Sequence, residues 1–172
     1  MKKTNTLSML LLFSLLSLTA CSPETRNNAE FSCVNARQPM TAAHLGELIQ
    51  EIDPEAELAG NTWRFEAAGN VIAVIYDEAA DRMRIMIPIT ETDKLTEQQK
   101  TRLLQANFDS ALDARYSIAQ NVLWGTFIHP LSPLTDREFL LGVGQTISVV
   151  ETYGDSYSSG MFTFGAGDSA EI

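Results

Sequence analysis

From Thr41 onward the chain sorts its apolar and polar residues with two different periods. Leu45, Leu48, Ile49 and Ile52 recur at i, i+3, i+4 and i+7 with Glu47, Gln50 and Glu51 between them, which predicts a helix that buries one stripe. The Thr41 hydroxyl is placed to cap its start. Asp53-Pro54 stops it, because the residue before a proline is driven out of the helical region. The period then falls to two. Trp63 and Phe65 share one face of a strand that ends in a turn at Ala67 to Asn70. The nearly unbroken apolar run VIAVIYD, Val71 to Asp77, predicts a strand buried on both faces. After the polar turn DEAAD, the segment RMRIMIPI sets Met83, Ile85, Ile87 and Ile89 on one face and Arg82 and Arg84 on the other. Pro88 has no N–H to give a ladder, which puts that end of the strand at a sheet edge.

A second helical segment opens with the capping box Thr96-x-x-Gln99. Leu104, Phe108 and Leu112, at i, i+4 and i+8 with Leu103 beside them, predict its buried stripe. RYSIAQNVLWGTFIHP reads as a hairpin around Gln120-Asn121, with Ile118, Val122, Trp124 and Phe127 as its apolar content. Pro130 and Pro133 interrupt the chain, and a second capping box, Thr135-x-x-Glu138, starts the last helix. That helix carries Phe139, Leu140, Val143, Ile147 and Val150 along one side and runs out at Gly154. The order is helix, three strands, helix, two strands, helix. It predicts an α+β fold, a twisted antiparallel sheet with helices packed on it. The remainder, DSYSSGMFTFGAGDSAEI, is rich in Gly and Ser and predicts a mobile tail, with Tyr157, Phe162 and Phe164 able to dock part of it.

Ahead of this domain the pattern is of another kind. Lys2 and Lys3 precede an apolar segment, Leu7 to Leu18, whose length of about a dozen residues suits a secretory leader and falls short of a bilayer span. It ends in Leu18-Thr19-Ala20-Cys21, which resembles a bacterial lipobox. The resemblance implies that residues 1–20 are a signal peptide, and that Cys21 becomes the first mature residue with a diacylglyceryl thioether and an acylated amino group. Several acyl chains together hold a protein on a membrane durably. Ser22 stands where Asp would signal inner-membrane retention, so the expectation is an outer-membrane lipoprotein, facing the periplasm or the surface. Residues 21–39 are polar and read as a lipidated tether of roughly 20–25 Å reach. Residues 40–154 form the domain and 155–172 the tail.

Charge narrows the partners. The chain carries 12 basic and 22 acidic residues, for a formal charge of −10, and losing Lys2 and Lys3 with the leader makes it two units more negative. Such a surface repels phosphate backbones, so nucleic acid is not an expected partner. Once Cys21 is alkylated Cys33 stands alone, so no disulfide within the chain is expected. His44 and His129 are the two histidines and do not stand in a metal-ligand spacing. Neither a metal site nor a cofactor is expected.

Three groupings of residues invite a chemical reading. His129, Ser132 and Asp136 fall within eight residues, but a Ser-His-Asp device converges in space, and no G-x-S-x-G elbow is present. Asp109 and Asp113 stand at i, i+4 on the second helix, where paired carboxylates could do acid–base work or hold a cation, but a solvated helix face is the preferred reading. The glycine-rich GVGQT and GAGDS lack the phosphate-loop pattern and its Lys; Gly142 and Gly144 in the first are expected to let a helix pack closely. Trp63, Trp124 and Phe127 read either as an exposed patch or, preferably, as core and half-buried sheet positions.

Three stretches, HLGELIQEI, TRLLQANF and LTDREFLLGVGQTISVVETYG, together with the strand order between them, resemble the class I type III secretion chaperones of the CesT-like kind and the related YbjN-like domains. The resemblance covers roughly residues 39–154. It implies a small, acidic, non-enzymatic module, often a homodimer, that binds an unfolded segment of another protein along apolar patches. No position matches a binding motif residue by residue. Those chaperones work in the cytosol, so a lipid-anchored relative would have a different task. The resulting expectation is an anchored lipoprotein that binds another envelope polypeptide. The alternatives are an immunity or inhibitor lipoprotein that neutralises a toxin or hydrolase, and an envelope hydrolase using His129 or the Asp109/Asp113 pair.

Overall fold

The structure, a computed structural model, describes residues 38–159. The leader, Cys21, Cys33, the tether as far as residue 37, and the tail from residue 160 with Phe162 and Phe164 lie outside the described residues.

Each helix begins where its cap was expected. The Thr41 hydroxyl accepts from the His44 amide at 3.2 Å and starts α1, Ala42–Ile52. Asp53 ends it and does more: its carboxylate accepts from the Glu55 amide at 2.9 Å and the Glu66 amide at 2.8 Å, tying the helix end to the sheet. Four strands follow, β1 Glu57–Ala59, β2 Thr62–Ala67, β3 Asn70–Asp77 and β4 Arg82–Glu91, then a 3₁₀ turn at Thr92–Lys94. The complete capping box of Thr96 and Gln99 starts α2, Glu97–Asp109. Next come β5, Arg115–Ala119, and β6, Val122–His129, and the box of Thr135 and Glu138 starts α3, Asp136–Glu151. The β5–β6 turn sits on Gln120 and Asn121 with φ of 53° and 62°, the paired positive angles that match the twist of a two-residue hairpin.

The strands form one sheet in the order β1-β2-β3-β4-β6-β5, antiparallel at every step. This is the α+β architecture the pattern implied, with one strand more than expected. Gly60, at φ 63°, folds Glu57–Ala59 back on β2 as a separate three-residue strand. Register aligns the inward residues across the sheet: Trp63 opposite Val74, Phe65 opposite Ile72, Val74 opposite Ile85, and Ile85 opposite Phe127. Leu45, Leu48 and Ile49 of α1 and Phe139 and Val143 of α3 share a buried cluster with this band. Burying each such side chain contributes about 1.5–3 kcal/mol. A smaller cluster joins Leu103 and Ala106 of α2 to Tyr116, Leu123, Val149 and Tyr157.

Three expectations are corrected. β3 is buried on one face only: Ile72 and Val74 are fully enclosed, whereas Val71 on the other face is exposed, because all the core residues of the helices meet the sheet from one side. Pro88 lies on a strand interior to the sheet order, yet at an end of it that forms an edge, as expected. Its neighbourhood is paired on one side only, since the β3 ladder ends at Ala73–Met86 while β6 continues to Glu91 past a bulge. In α2 the expected stripe is turned outward. Leu103 and Ala106 are buried, whereas Leu104 and Phe108 are 71% and 78% exposed. Helix rotation is set by Asn107, whose amide donates to the Tyr116 carbonyl at 3.0 Å and accepts from the Tyr116 amide at 2.8 Å. In α3, Leu140 faces out, and Phe139, Gly142, Val143, Thr146 and Val149 make the buried side. Within the segment after residue 154, Tyr157 and Ser159 are both buried.

Candidate functional site: the uncovered face of the sheet

Since the described helices pack on one side, the alternate residues of each strand form a second surface with no helix on it among the described residues. The register places Arg64 beside Ala73, Ala73 beside Met86 and Met86 beside Thr126 in one row. The next row runs Thr62, Ile75, Arg84, Ile128, and Pro88 stands opposite Trp124. The result is an apolar band of Val71, Ala73, Ile75, Met86, Pro88, Trp124 and Ile128. Val71 and Ile128 are about half exposed, at 47% and 55%. The Trp124 indole donates to the Ala119 carbonyl at 3.0 Å, so its ring is held rather than free. An open hollow of ≈ 390 Å³ has Ile75, Arg82, Arg84 and Ile128 among its lining residues.

Charge on this face is mixed: register sets Glu57 opposite Arg64, Glu66 opposite Val71 and Asp77 opposite Arg82. Arg64, Arg82 and Arg84 project from it, and Arg64 and Arg84 have no ion-pair partner among the described residues. An apolar band flanked by charges of both signs suits a segment with apolar side chains and polar or charged flanks. The two sheet edges differ. At β5 the Asn107 side chain already occupies the Tyr116 backbone groups, whereas β1 is short and fully exposed.

The residues with expected chemistry are scattered. Ser132 donates from its hydroxyl (2.9 Å) and its amide (2.6 Å) to the Asp81 carboxylate. Those bonds hold the Asp81 carboxyl below its ordinary range. His129 stacks on Phe127 with ring centroids 6.0 Å apart, and its Nδ1 lies 2.7 Å from the Pro130 carbonyl. Asp136 meets neither: its Oδ1 is 2.9 Å from His44 Nε2, and His44 Nδ1 is 3.1 Å from Glu47. Hydrogen bonds to Glu47 and then Asp136 raise the His44 pKa. The three candidates thus serve three separate links, a turn clamp, a strand end and an α1–α3 bridge.

Asp109 and Asp113 do not share a helix face, because α2 ends at Asp109; Asp113 instead meets Gln145, its amide donating to Oε1 at 3.0 Å. Gln145 also accepts from the Ala114 amide. Burial pushes the Tyr116 phenol up to about 12, and its hydroxyl donates to the Val149 carbonyl at 2.6 Å, a structural use. Among the described residues no group of three or more His, Cys, Asp and Glu is placed to hold a metal ion. Trp63 and Phe127 are core, and only Trp124 of the three aromatics reaches the open face. Sequence reading missed this site although its signal was present. The same alternation that buries Ile72 and Val74 sends the apolar Val71, Ala73 and Ile75 to the other side.

No protein-family profile matches the chain, and no curated protein matches it. Solved structures do. A chain of the ExsC–ExsE complex aligns with a TM-score of 0.53 at 12% identity, covering 66% of this chain and 93% of that one. A chain of the HopA1–SchA chaperone–effector complex aligns with a TM-score of 0.51 at 7% identity, covering 65% and 94%. At such identity the likeness is one of fold, and the fold is chaperone-like α+β.

Proposed function

We propose that this chain is a lipid-anchored envelope protein, held by acylated Cys21 in the outer membrane, whose domain binds a segment of another polypeptide without transforming it. The observation that carries the reading is the apolar band on the face of the sheet that no described helix covers. Its support is the pair of fold neighbours, each solved in complex with another protein. The anchor rests on the lipobox-like Leu18-Thr19-Ala20-Cys21 alone. The acidic composition favours a second reading, an immunity or inhibitor lipoprotein that neutralises a basic toxin or hydrolase.

Crosslinking in intact cells followed by capture of the protein tests the reading. The wild type is compared with Cys21→Ala and with Ile128→Asp. A polypeptide recovered in near-stoichiometric amount from wild type, and lost with Ile128→Asp, is the expected result. Equal recovery from wild type and Ile128→Asp would remove the open face from the account. Equal membrane fractionation of wild type and Cys21→Ala would remove the anchor.

A further inference from the structure

The charges on the open sheet face are unevenly shared, and the imbalance falls on the hollow. On the β1–β2 flank Arg64 stands between two carboxylates, Glu57 opposite it on β1 and Glu66 two residues along β2. At the β3–β4 turn the balance reverses. Asp77 faces Arg82, and Arg84 follows on the same side of β4. The acidic neighbours here are engaged by the backbone. Asp77 accepts from the Ala80 amide at 2.9 Å within its own turn, and Asp81 accepts from the Ser132 amide and hydroxyl at 2.6 and 2.9 Å. Neither Arg82 nor Arg84 forms an ion pair among the described residues. The Arg82 Nη1 donates to the Asp81 carbonyl at 3.0 Å, which ties its head to the turn. Arg84 makes no side-chain hydrogen bond among the described residues, so all its donors face water.

These two guanidinium groups line the hollow of ≈ 390 Å³ together with Ile75 and Ile128. Register sets Arg84 between the two isoleucines, Ile75 across on β3 and Ile128 across on β6. The volume lies in the lower part of the range of specific ligand sites, roughly 300–1,000 Å³. An apolar wall beside a guanidinium fork is selective. It holds an aliphatic chain by burial and a carboxylate by paired N–H donors, and it offers a basic group nothing. A carboxylate is therefore matched at this end of the face, and a basic group at the Glu57–Glu66 flank.

We propose that the hollow is the selective point for the bound segment, taking an aliphatic side chain between Ile75 and Ile128 and a nearby Asp or Glu carboxylate on Arg84, with Arg82 beside it. In an extended segment the two side chains would stand two residues apart, on one face. The inference rests on the reading of this face as a polypeptide-binding surface, and names the chemistry of the segment it takes.

Selection from a random library of short peptides, displayed with blocked C-termini, tests this on the full chain. Wild type is compared with Arg84→Gln, Arg84→Glu and Ile128→Asp in one library, so that display bias cancels. All these positions are exposed, and the thermal unfolding midpoint should stay unchanged. Wild type should enrich peptides with Asp or Glu within two residues of Leu, Ile or Val. Arg84→Gln should weaken those peptides by roughly two- to five-fold, the worth of an exposed ion pair, and remove the acidic preference. Arg84→Glu should exchange it for a preference for Lys or Arg. Apolar peptides enriched without an acidic preference, or an acidic preference that survives Arg84→Glu, would overturn the proposal and leave the open-face reading standing. No enrichment over a blank surface, or enrichment indifferent to Ile128→Asp, would overturn both.

Discussion

Replacing Gly142 and Gly144 by alanine, one at a time, asks whether α3 really meets the sheet where the structure puts it. Both glycines are interior to the same helix, two residues apart. Each substitution therefore gains about 1 kcal/mol of helix propensity. Their surroundings differ completely. A Cβ at Gly142 would lie 2.8 Å from both Cδ1 and Cε1 of Phe127 and 3.1 Å from its Cγ, whereas a Cβ at Gly144 meets nothing within 4 Å. The Phe127 ring is buried and stacked on His129, so it has no open space to retreat into. Overpacking of this kind costs about 1–3 kcal/mol. Gly144→Ala should stabilise the domain by about 1 kcal/mol. Gly142→Ala should be neutral to destabilising by about 2 kcal/mol once the same propensity gain is subtracted. Propensity cancels between the two variants, leaving a gap of about 1–3 kcal/mol, or several degrees in Tm at roughly 3–6 °C per kcal/mol. Urea and thermal unfolding measure it directly. Equal effects of the two substitutions would refute the α3–Phe127 contact.

Other expectations follow from the polar links. Asn107→Leu removes both bonds to Tyr116, at about 1 kcal/mol each, and should destabilise by about 2 kcal/mol in urea unfolding with a frayed β5 in hydrogen exchange. His44 is raised above 6.5 in the folded state, so its α1–α3 bridge is fully present below that pH and fades as pH rises through the folded value. His44 is well exposed, so the pH-dependent difference between wild type and His44→Gln should be only about 0.2–1 kcal/mol. Asp81 runs the other way. Its lowered pKa makes its contribution complete above 3.8 and lost as pH falls through the folded value, so Asp81→Asn should flatten the acid limb of the stability curve. Arg84→Glu, on the open face, should leave the unfolding midpoint nearly unchanged while abolishing capture of the bound polypeptide.

Much of the fold was legible because its signals are local. Thr41, Thr96 and Thr135 cap their helices through hydrogen bonds spanning three residues, and Gln120-Asn121 makes its turn alone. What misled was the side each element faces. α2 offers two apolar stripes, and the larger one, Leu104 and Phe108, won on pattern. The smaller pair packs inward because Ala106 permits close approach and Asn107 finds the β5 backbone, a long-range pairing that periodicity does not show. β3 misled in the same way. An unbroken apolar run is what a strand between two layers needs, and equally what a strand with one exposed binding face needs. The open face became visible only when Ala73, Met86 and Ile128, remote in sequence, were set side by side by register.

The most direct test of the central claim is site-specific photo-crosslinking in living cells. A photoreactive side chain is placed singly at Ile75, Met86 and Ile128 on the open face, and at Gln50 and Leu140 on the helices as controls. Adducts to one polypeptide are expected from the three sheet positions and not from the two helix positions. Adducts confined to the helix positions, or absent from the sheet face while the protein is folded and anchored, would contradict that claim.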